Sequence, residues 1–387
     1  MTKVPLQNKS IKVIHIITGL GIGGAEMMLY KLLSAMDKEQ FEQCVISLTG
    51  HGAVGKKIQQ LGISVWALGM RPSLPDARLV ATLVKKLRQE QADIIQTWMY
   101  HADLLGGIAA RLAGNKRVIW GMRNTDLSPL RVKRRTIWTA RLCALLSHWL
   151  PQRIVINSQV SRQTHIRLGY RADKMVVIPN GFDLQVFKPD QEARISVRQE
   201  LGIEDQTPLI GMIARFDSQK DHLNFVQAAA LLSARMPQTR YLLCGEGITW
   251  QNQMLAGWID TTGLRNVFHL LGEREDIPRL MAALDIATLS SVGEAFPNVV
   301  GEAMACAIPC VVTDAGDSAY IVGDTGRVVA RRNPHALAQA WNQVLEMPIA
   351  AREQMGKAAR ARIEQEFSLA RICTQYEELY RQIVYTV

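Results

Sequence analysis

Along nearly the whole of this 387-residue chain, short apolar runs alternate with segments of helical period, and most runs end in polar or glycine-containing loops. In the first half the candidate strands are residues 12–18, 43–48, 64–68, 94–98, 117–120, 153–157 and 175–178, with helices at 25–36, 78–90 and 102–112 between them. A second alternating set begins with a strand at 208–214. This pattern predicts an α/β fold of doubly wound parallel sheets. The length is enough for two such domains with separate cores. Sheets of this kind bind ligands at the carboxyl ends of their strands. The loops that follow the strands therefore carry the functional reading.

Composition excludes several classes. With 48% hydrophobic and 21% charged residues the chain reads as soluble and globular, and no apolar run reaches the roughly 18 residues that span a bilayer. Its apolar start could pass for a secretion signal. Lys12 and His15 interrupt it, however, and it runs into a glycine loop, so it reads as a first strand. The six cysteines, at 44, 143, 244, 306, 310 and 373, have neither zinc-ligand nor disulfide-framework spacing. They read as reduced core thiols of a cytoplasmic protein.

The net charge of +10 is concentrated: residues 127–172 hold nine basic residues and no acid. There the cluster Arg131, Lys133, Arg134 and Arg135 precedes Ile137, Trp138, Leu142, Leu145, Leu146 and Trp149 at helical spacing, which predicts a basic amphipathic helix. Two readings stand. One is a solvated basic face over an ordinary core helix. The other is an anionic membrane surface contacted by Arg131, Lys133, Arg134, Arg135 and Trp138. Nucleic acid is not an expected partner, because no nucleic-acid motif accompanies the charge.

The most specific stretch is Glu294-Ala-Phe-Pro-Asn-Val-Val-Gly-Glu302, which reads as a strand end, a short loop and a helix. Pro297 suits the first helical turn, where a missing N–H costs nothing. Glu302 then lies about two turns beyond Glu294, at most about 12 Å away if the interval were all helical. Between the two carboxylates stands a helix start, whose free N–H groups attract phosphate. Carboxylates accept hydrogen bonds from hydroxyls and repel phosphate. A nucleotide sugar, polyhydroxylated at both ends and phosphorylated in the middle, suits that arrangement.

Other strand ends agree. Arg215 and Lys220 follow the strand at 208–214 and can converge on one diphosphate, the arginine as a two-pronged donor and the lysine as a point charge. No Asp-x-Asp cluster is present, so no metal is expected. His101 and Asp103 stand at the end of the fourth strand, and residues 121–126, with Arg123, Asn124 and Asp126, at the end of the fifth. The glycines of residues 19–24 follow the first strand, and Gly23 and Gly24 let backbone approach a ligand closely. That loop also supports a rival, an NAD(P)-dependent oxidoreductase, although no acidic residue closes the second strand. A glycosidase would use the two carboxylates but leave Arg215 and Lys220 idle.

Taken in order, these motifs resemble the retaining glycosyltransferases of the GT-B fold, family 4 (glycosyl transferases group 1), of the polysaccharide-biosynthesis type. The resemblance rests on the Glu-x7-Glu stretch with Phe296, on Arg215 and Lys220, on the Gly-Gly-Ala-Glu loop and on the Pro-Asn-Gly-x-Asp-x3-Phe pattern from Pro179 to Phe187. That last pattern reads as a structural turn throughout. The resemblance implies two Rossmann-like domains facing a central cleft. Residues 11–187 would form the acceptor side, 188–366 would bind the nucleotide sugar, and a terminal helix in 367–387 would pack back on the first domain. It implies catalytic roles for Arg215, Lys220, Glu294 and His101. Donor contacts would come from Gly23, Gly24, Glu294, Phe296, Pro297, Asn298, Val299, Glu302 and Arg274, and acceptor contacts from Arg123, Asn124 and Asp126. The implied reaction moves a hexose-type sugar from a nucleoside-diphosphate sugar, a co-substrate, to a hydroxyl of a glycan or lipid-linked glycan, with retention and without metal or other cofactor. Cell-surface polysaccharide synthesis, of capsule or lipopolysaccharide type, is the implied setting, at the inner face of the cytoplasmic membrane.

Overall fold

The computed structural model describes residues 10–70, 77–123 and 133–385. It divides into two compact units, one formed by residues up to Gly181 together with those from Leu369 onward, the other by Phe182–Ser368. As the alternation predicts, each unit is a parallel sheet with helices between its strands.

In the first unit the strands are β1 (Ile11–Ile17), β2 (Phe41–Ser47), β3 (Ser64–Ala67), β4 (Ile94–Trp98), β5 (Val118–Met122), β6 (Arg153–Ile156) and β7 (Met175–Val177). They lie in the order β3-β2-β1-β4-β5-β6-β7. The second unit adds β8 (Leu209–Ile213), β9 (Arg240–Cys244), β10 (Phe268–Leu270), β11 (Ile286–Leu289), β12 (Cys310–Thr313) and β13 (Arg327–Val329), in the order β10-β9-β8-β11-β12-β13. Every pairing is parallel. Helices cover both faces of such sheets, so central strands read as continuous apolar runs; β4, β5 and β12 are buried along their whole length. In each sheet the order reverses once, between β1 and β4 and between β8 and β11. A crevice opens at the carboxyl ends of strands that flank such a reversal.

The chain leaves the first unit before Phe182 rather than after Phe187. Phe182 and Phe187 are both buried in the second core, where the Phe182 ring stacks on Phe296 at 6.2 Å. The Pro-Asn-Gly-x-Asp-x3-Phe pattern is a structural turn, as read. Asp183 Oδ1 accepts the N–H groups of Gln185 and Val186 at 2.9 and 3.2 Å. The terminal helix Leu369–Tyr385 buries Leu369, Ile372, Cys373, Tyr376, Leu379, Tyr380 and Ile383 on one stripe, at the spacing of an amphipathic helix. That stripe shares the first unit's core with Val13, Ile94 and Trp98, and the Tyr380 hydroxyl donates to Gln96 Oε1 at 2.5 Å. Only glycine fits where Gly181 passes this helix: a Cβ there would lie 2.9 Å from Leu369 Cα.

Among the described residues no helix is long and apolar enough to cross a membrane. All six cysteines are free and buried.

Candidate active site

In the second unit, the ends of β8 and β11 meet at the strand-order reversal. After β8 the chain continues alongside β9: Ala214 N–H donates to Cys244 O at 2.8 Å and Phe216 N–H to Glu246 O at 2.7 Å. Gly245, at φ 145°, makes that closeness possible, because a Cβ would sit 2.4 Å from Ala214 O. Asp217 then folds the loop, accepting Gln219 N–H on its side chain at 2.8 Å and Lys220 N–H on its carbonyl at 2.9 Å. Asp221 starts the helix His222–Ser233 with φ 50°. Two bridges tie this loop to the end of β11. Val292 N–H donates to Gln219 O at 2.8 Å, and Ser290 Oγ donates to Lys220 O at 2.8 Å and Asp221 O at 3.0 Å.

These backbone ties bring Lys220 to Glu294. The ammonium lies 2.5 Å from Glu294 Oε1, which also accepts from Ser291 Oγ at 2.7 Å. The two charged side chains are mostly shielded, at 19% and 12% exposure. Arg215 behaves differently. Its side chain is 62% exposed, and among the described residues its ion pair is with the carboxylate of Asp217, at 3.5 Å. The Glu294 loop rests on the turn after β12. Gly316 has φ 58°, a Cβ there would meet Glu294 O at 2.5 Å, and Asp317 N–H donates to Ala295 O at 3.0 Å. Ser291 and Gly316 are site residues that sequence reasoning missed. A serine after an apolar run and a glycine in a loop carry no signal until their neighbours are known.

The helix start lies where the sequence put it. Pro297 is the N-cap and makes no side-chain cap hydrogen bond of its own, and Asn298–Ala305 form the helix. Glu302 sits on that helix and is half-buried. Two donor contacts need correction. Phe296 is 6% exposed and packs between Phe182 and Phe367, so its ring anchors the loop from beneath and only its backbone is left for a ligand. Arg274 is committed elsewhere: Nε and Nη2 donate to Asp276 at 2.8 and 2.7 Å and Nη1 to Glu200 at 2.9 Å. Its side chain belongs to an ion-pair network that also holds Arg279 on Glu200 and Asp276. Val299 is half-buried against the second core.

In the first unit, the glycine loop and His101 flank the equivalent reversal between β1 and β4. Gly23 is the N-cap of helix Gly24–Ala35, and the Glu26 carboxylate folds over it, 2.4 Å from where a Cβ would be. Burial pushes the Glu26 carboxyl up, opposed by a backbone hydrogen bond to its own N–H; Glu26 is a helix-start residue, as read. His101 is the second residue of helix Tyr100–Leu112. Partial burial pushes its imidazole below the ordinary histidine value, favouring the neutral form. Met99, just before it, has φ 71° and ψ 156°, a backbone region that side chains rarely occupy and that recurs at functional turns. Asp103 anchors the turn from inside: it is fully buried, and its Oδ1 accepts Thr97 Oγ1 at 2.5 Å and Gly121 N–H at 3.3 Å.

Arg123 does not fit the acceptor role. It is 8% exposed, donates to Asn180 Oδ1 at 2.6 Å and to the Tyr376 hydroxyl, and lies 4.8 Å from the Trp98 ring. It clamps the terminal helix to the end of β5. Asn124, Asp126 and Arg131 lie outside the described residues. Among the described residues no group of three or more His, Cys, Asp or Glu could hold a metal ion.

Two family models match successive parts of the chain, Glycosyltransferase Family 4 over residues 22–186 and Glycosyl transferases group 1 over residues 193–362. The chain is similar to the glycosyltransferase EpsF of Bacillus subtilis, 26% identical over 321 residues that cover 79% of each chain. It is also similar to the UDP-Gal:alpha-D-GlcNAc-diphosphoundecaprenol alpha-1,3-galactosyltransferase of Escherichia coli, 24% identical over 80% of this chain and 81% of that one. Among solved structures, Anabaena HepE in complex with UDP matches with a TM-score of 0.83 at 27% identity, covering 95% of this chain and 99% of that one. The same protein with UDP-glucose gives 0.80 at 26% identity. The oxidoreductase reading of residues 19–24 finds no support among these relatives.

Proposed function

The chain belongs to the group 1 glycosyltransferases of the GT-B fold, and we propose that within this family it moves a hexose-type sugar from a UDP-sugar to a hydroxyl of a lipid-linked glycan, with retention of the anomeric configuration. The observation that carries this reading is the Lys220–Glu294 pair at the β8/β11 reversal, with exposed Arg215 at its rim and the start of helix Asn298–Ala305 shortly after it. A cation for a diphosphate and a carboxylate for sugar hydroxyls stand side by side. UDP and UDP-glucose in the HepE structures, and UDP-Gal in the name of the E. coli relative, support uridine as the base. The diphosphoundecaprenol in that name supports a lipid-linked acceptor.

In this proposal the bond from the sugar's anomeric carbon to the diphosphate oxygen breaks, and the diphosphate leaves with the electron pair. Lys220, Arg215 and the N–H groups at the start of helix Asn298–Ala305 stabilise the growing charge, the kind of preorganised electrostatics that is usually the largest catalytic term. The acceptor oxygen attacks the same face, and its proton passes to the leaving phosphate. Glu294 holds sugar hydroxyls while Glu302 holds the ribose, and His101 is kept as a contact to the transferred sugar. The two protein cations stand in for a divalent ion, so turnover persists in EDTA. The reaction takes place in the cytoplasm, in cell-surface polysaccharide synthesis.

The test is a thermal-shift screen with UDP-, GDP- and ADP-sugars, run beside Arg215→Ala and Glu294→Ala. A rise in Tm with UDP-sugars, reduced in both variants, is expected, because a ligand that binds only the folded state stabilises it. A shift with NAD or NADP alone, or with UDP-sugars equally in all three proteins, would overturn the site. Product NMR reads the anomer, and an inverted product would remove the retaining step.

A further inference from the structure

The Glu294 carboxylate takes both of its hydrogen bonds on one oxygen: Lys220 Nζ donates to Oε1 at 2.5 Å, and Ser291 Oγ donates to the same atom at 2.7 Å. The other oxygen, Oε2, takes no hydrogen bond among the described residues, and the side chain's residual exposure of 12% leaves it open to a ligand. This asymmetry does not come from the glutamate itself. The carboxylate torsion of a glutamate is broad and roughly two-fold, so its own rotamer does not tell one oxygen from the other. Two donors on a single oxygen do.

The two donors differ in what can compete for them. The Lys220 ammonium is 19% exposed and has further N–H groups to give, so a diphosphate arriving at this site draws on it. As phosphate oxygens take up its charge, its hold on Glu294 weakens. Ser291 is 0% exposed, so no ligand reaches its hydroxyl. Its backbone is held from the next strand, where Thr313 Oγ1 donates to Ser291 O at 2.6 Å and to Leu289 O at 3.2 Å. The preceding residue, Ser290, donates instead to the carbonyls of Lys220 and Asp221. Successive serines past the end of β11 thus fix the two charged partners separately.

We propose that Ser291 is a positioning residue for the sugar half of the donor: its hydroxyl keeps Glu294 Oε1 in place when the diphosphate draws on Lys220, so that Oε2 alone is presented to a hydroxyl of the transferred sugar. The inference rests on the reading of Glu294 as the group that holds sugar hydroxyls. It divides donor affinity into two parts. Lys220 serves a diphosphate whether or not a sugar is attached. Ser291 serves only a donor that carries hydroxyls beyond the diphosphate, and UDP, which ends there, is indifferent to it.

The experiment measures by titration calorimetry the affinity of the full chain for UDP, UDP-glucose and UDP-galactose, beside Ser291→Ala, Ser291→Cys, Glu294→Ala and Ser291→Ala/Glu294→Ala. Alanine deletes the hydroxyl, and cysteine fills its place with only a weak donor. The quantity read is the ratio of UDP-sugar affinity to UDP affinity. In both Ser291 variants it is expected to fall roughly tenfold or more, as for a lost hydrogen bond to a charged group, while UDP affinity itself stays within about twofold. In the Glu294→Ala background, Ser291→Ala is expected to change nothing further, because a residue that acts only through Glu294 has no effect without it. Equal losses of UDP and UDP-sugar affinity would make Ser291 a support of the whole loop and overturn the proposal. So would an unchanged ratio, or the same loss from Ser291→Ala with and without Glu294. Failure of the natural chain to bind either UDP-sugar, or a natural ratio kept by Glu294→Ala, overturns the reading of Glu294 itself and the proposal with it.

Discussion

Lys220 and Glu294 are 74 positions apart in sequence and 2.5 Å apart in the fold, where they form the only strand-end ion pair that joins the two strands of the second sheet's reversal among the described residues. Each charge shields the other from the cost of its own burial. Removing one leaves the partner uncompensated, so Lys220→Met and Glu294→Gln are each expected to lower kcat by about 10²–10³. The double variant falls well short of the product of the two losses, because residues in contact are not additive. Steady-state kinetics on the four proteins check this. Independent, multiplicative losses would mean that the pair does not act as a unit.

Gly316→Ala is expected to cost about 1–3 kcal/mol and to depress activity. Its φ of 58° and a Cβ 2.5 Å from Glu294 O force the Glu294 loop to move. Gly202→Ala is the control. Gly202 has φ 65° with nothing within 4 Å of a Cβ, so about 1 kcal/mol of backbone strain is expected and no change in turnover. Chemical denaturation beside activity separates the two. Full activity in Gly316→Ala would show that the loop tolerates displacement.

Burial pushes the Asp103 carboxyl up to about 8. The unfolded chain releases that proton near the ordinary value of about 3.9. The folded state therefore binds more protons between these two values, and stability falls as pH rises through that window. Asp103→Asn keeps the neutral shape and loses the dependence. Relative to the variant, the natural chain is expected to lose a few kcal/mol between about pH 4 and pH 8. His15 acts in the opposite sense. Burial pushes it down to about 4, so its stabilisation is lost as pH falls from about 6.5, equally in both proteins. Urea titrations across that range provide the measurement, and parallel pH profiles would refute the assignment.

Arg198, 2% exposed, pairs with Asp285 at 2.7 Å and donates to the carbonyls of Glu204, Asp205 and Thr207. Asp285 also accepts Arg194 at 3.0 Å and the Leu209 N–H at the start of β8 at 2.8 Å. Asp285→Ala strands a buried guanidinium, and a loss of about 3–5 kcal/mol is expected. A Tm within a degree or so of the natural chain's would show that water repairs the gap.

The sequence by itself determined whatever depends on local pattern. Alternating strand and helix periods disclosed two parallel sheets, and the positions of the strand ends brought Arg215, Lys220, Glu294 and His101 to the reversals. Both follow from side-chain periodicity and chain direction, which need no knowledge of distant neighbours. Tertiary structure alone decided what each group touches. Phe296 reads as a motif residue but is a core ring, while Arg274 and Arg123 read as site cations and are spent on Glu200 and Asp276, and on Asn180 and Tyr376. Ser291 and Gly316, silent in the sequence, hold the Glu294 loop. The basic helix shows the reason most plainly. A helical wheel tells which residues share a face, but Ala140-Cys143-Ala144 and Trp138-Leu142-Leu145 are both apolar. Only the space left beside the first sheet, enough for small side chains and not for large ones, selected the face that turned inward.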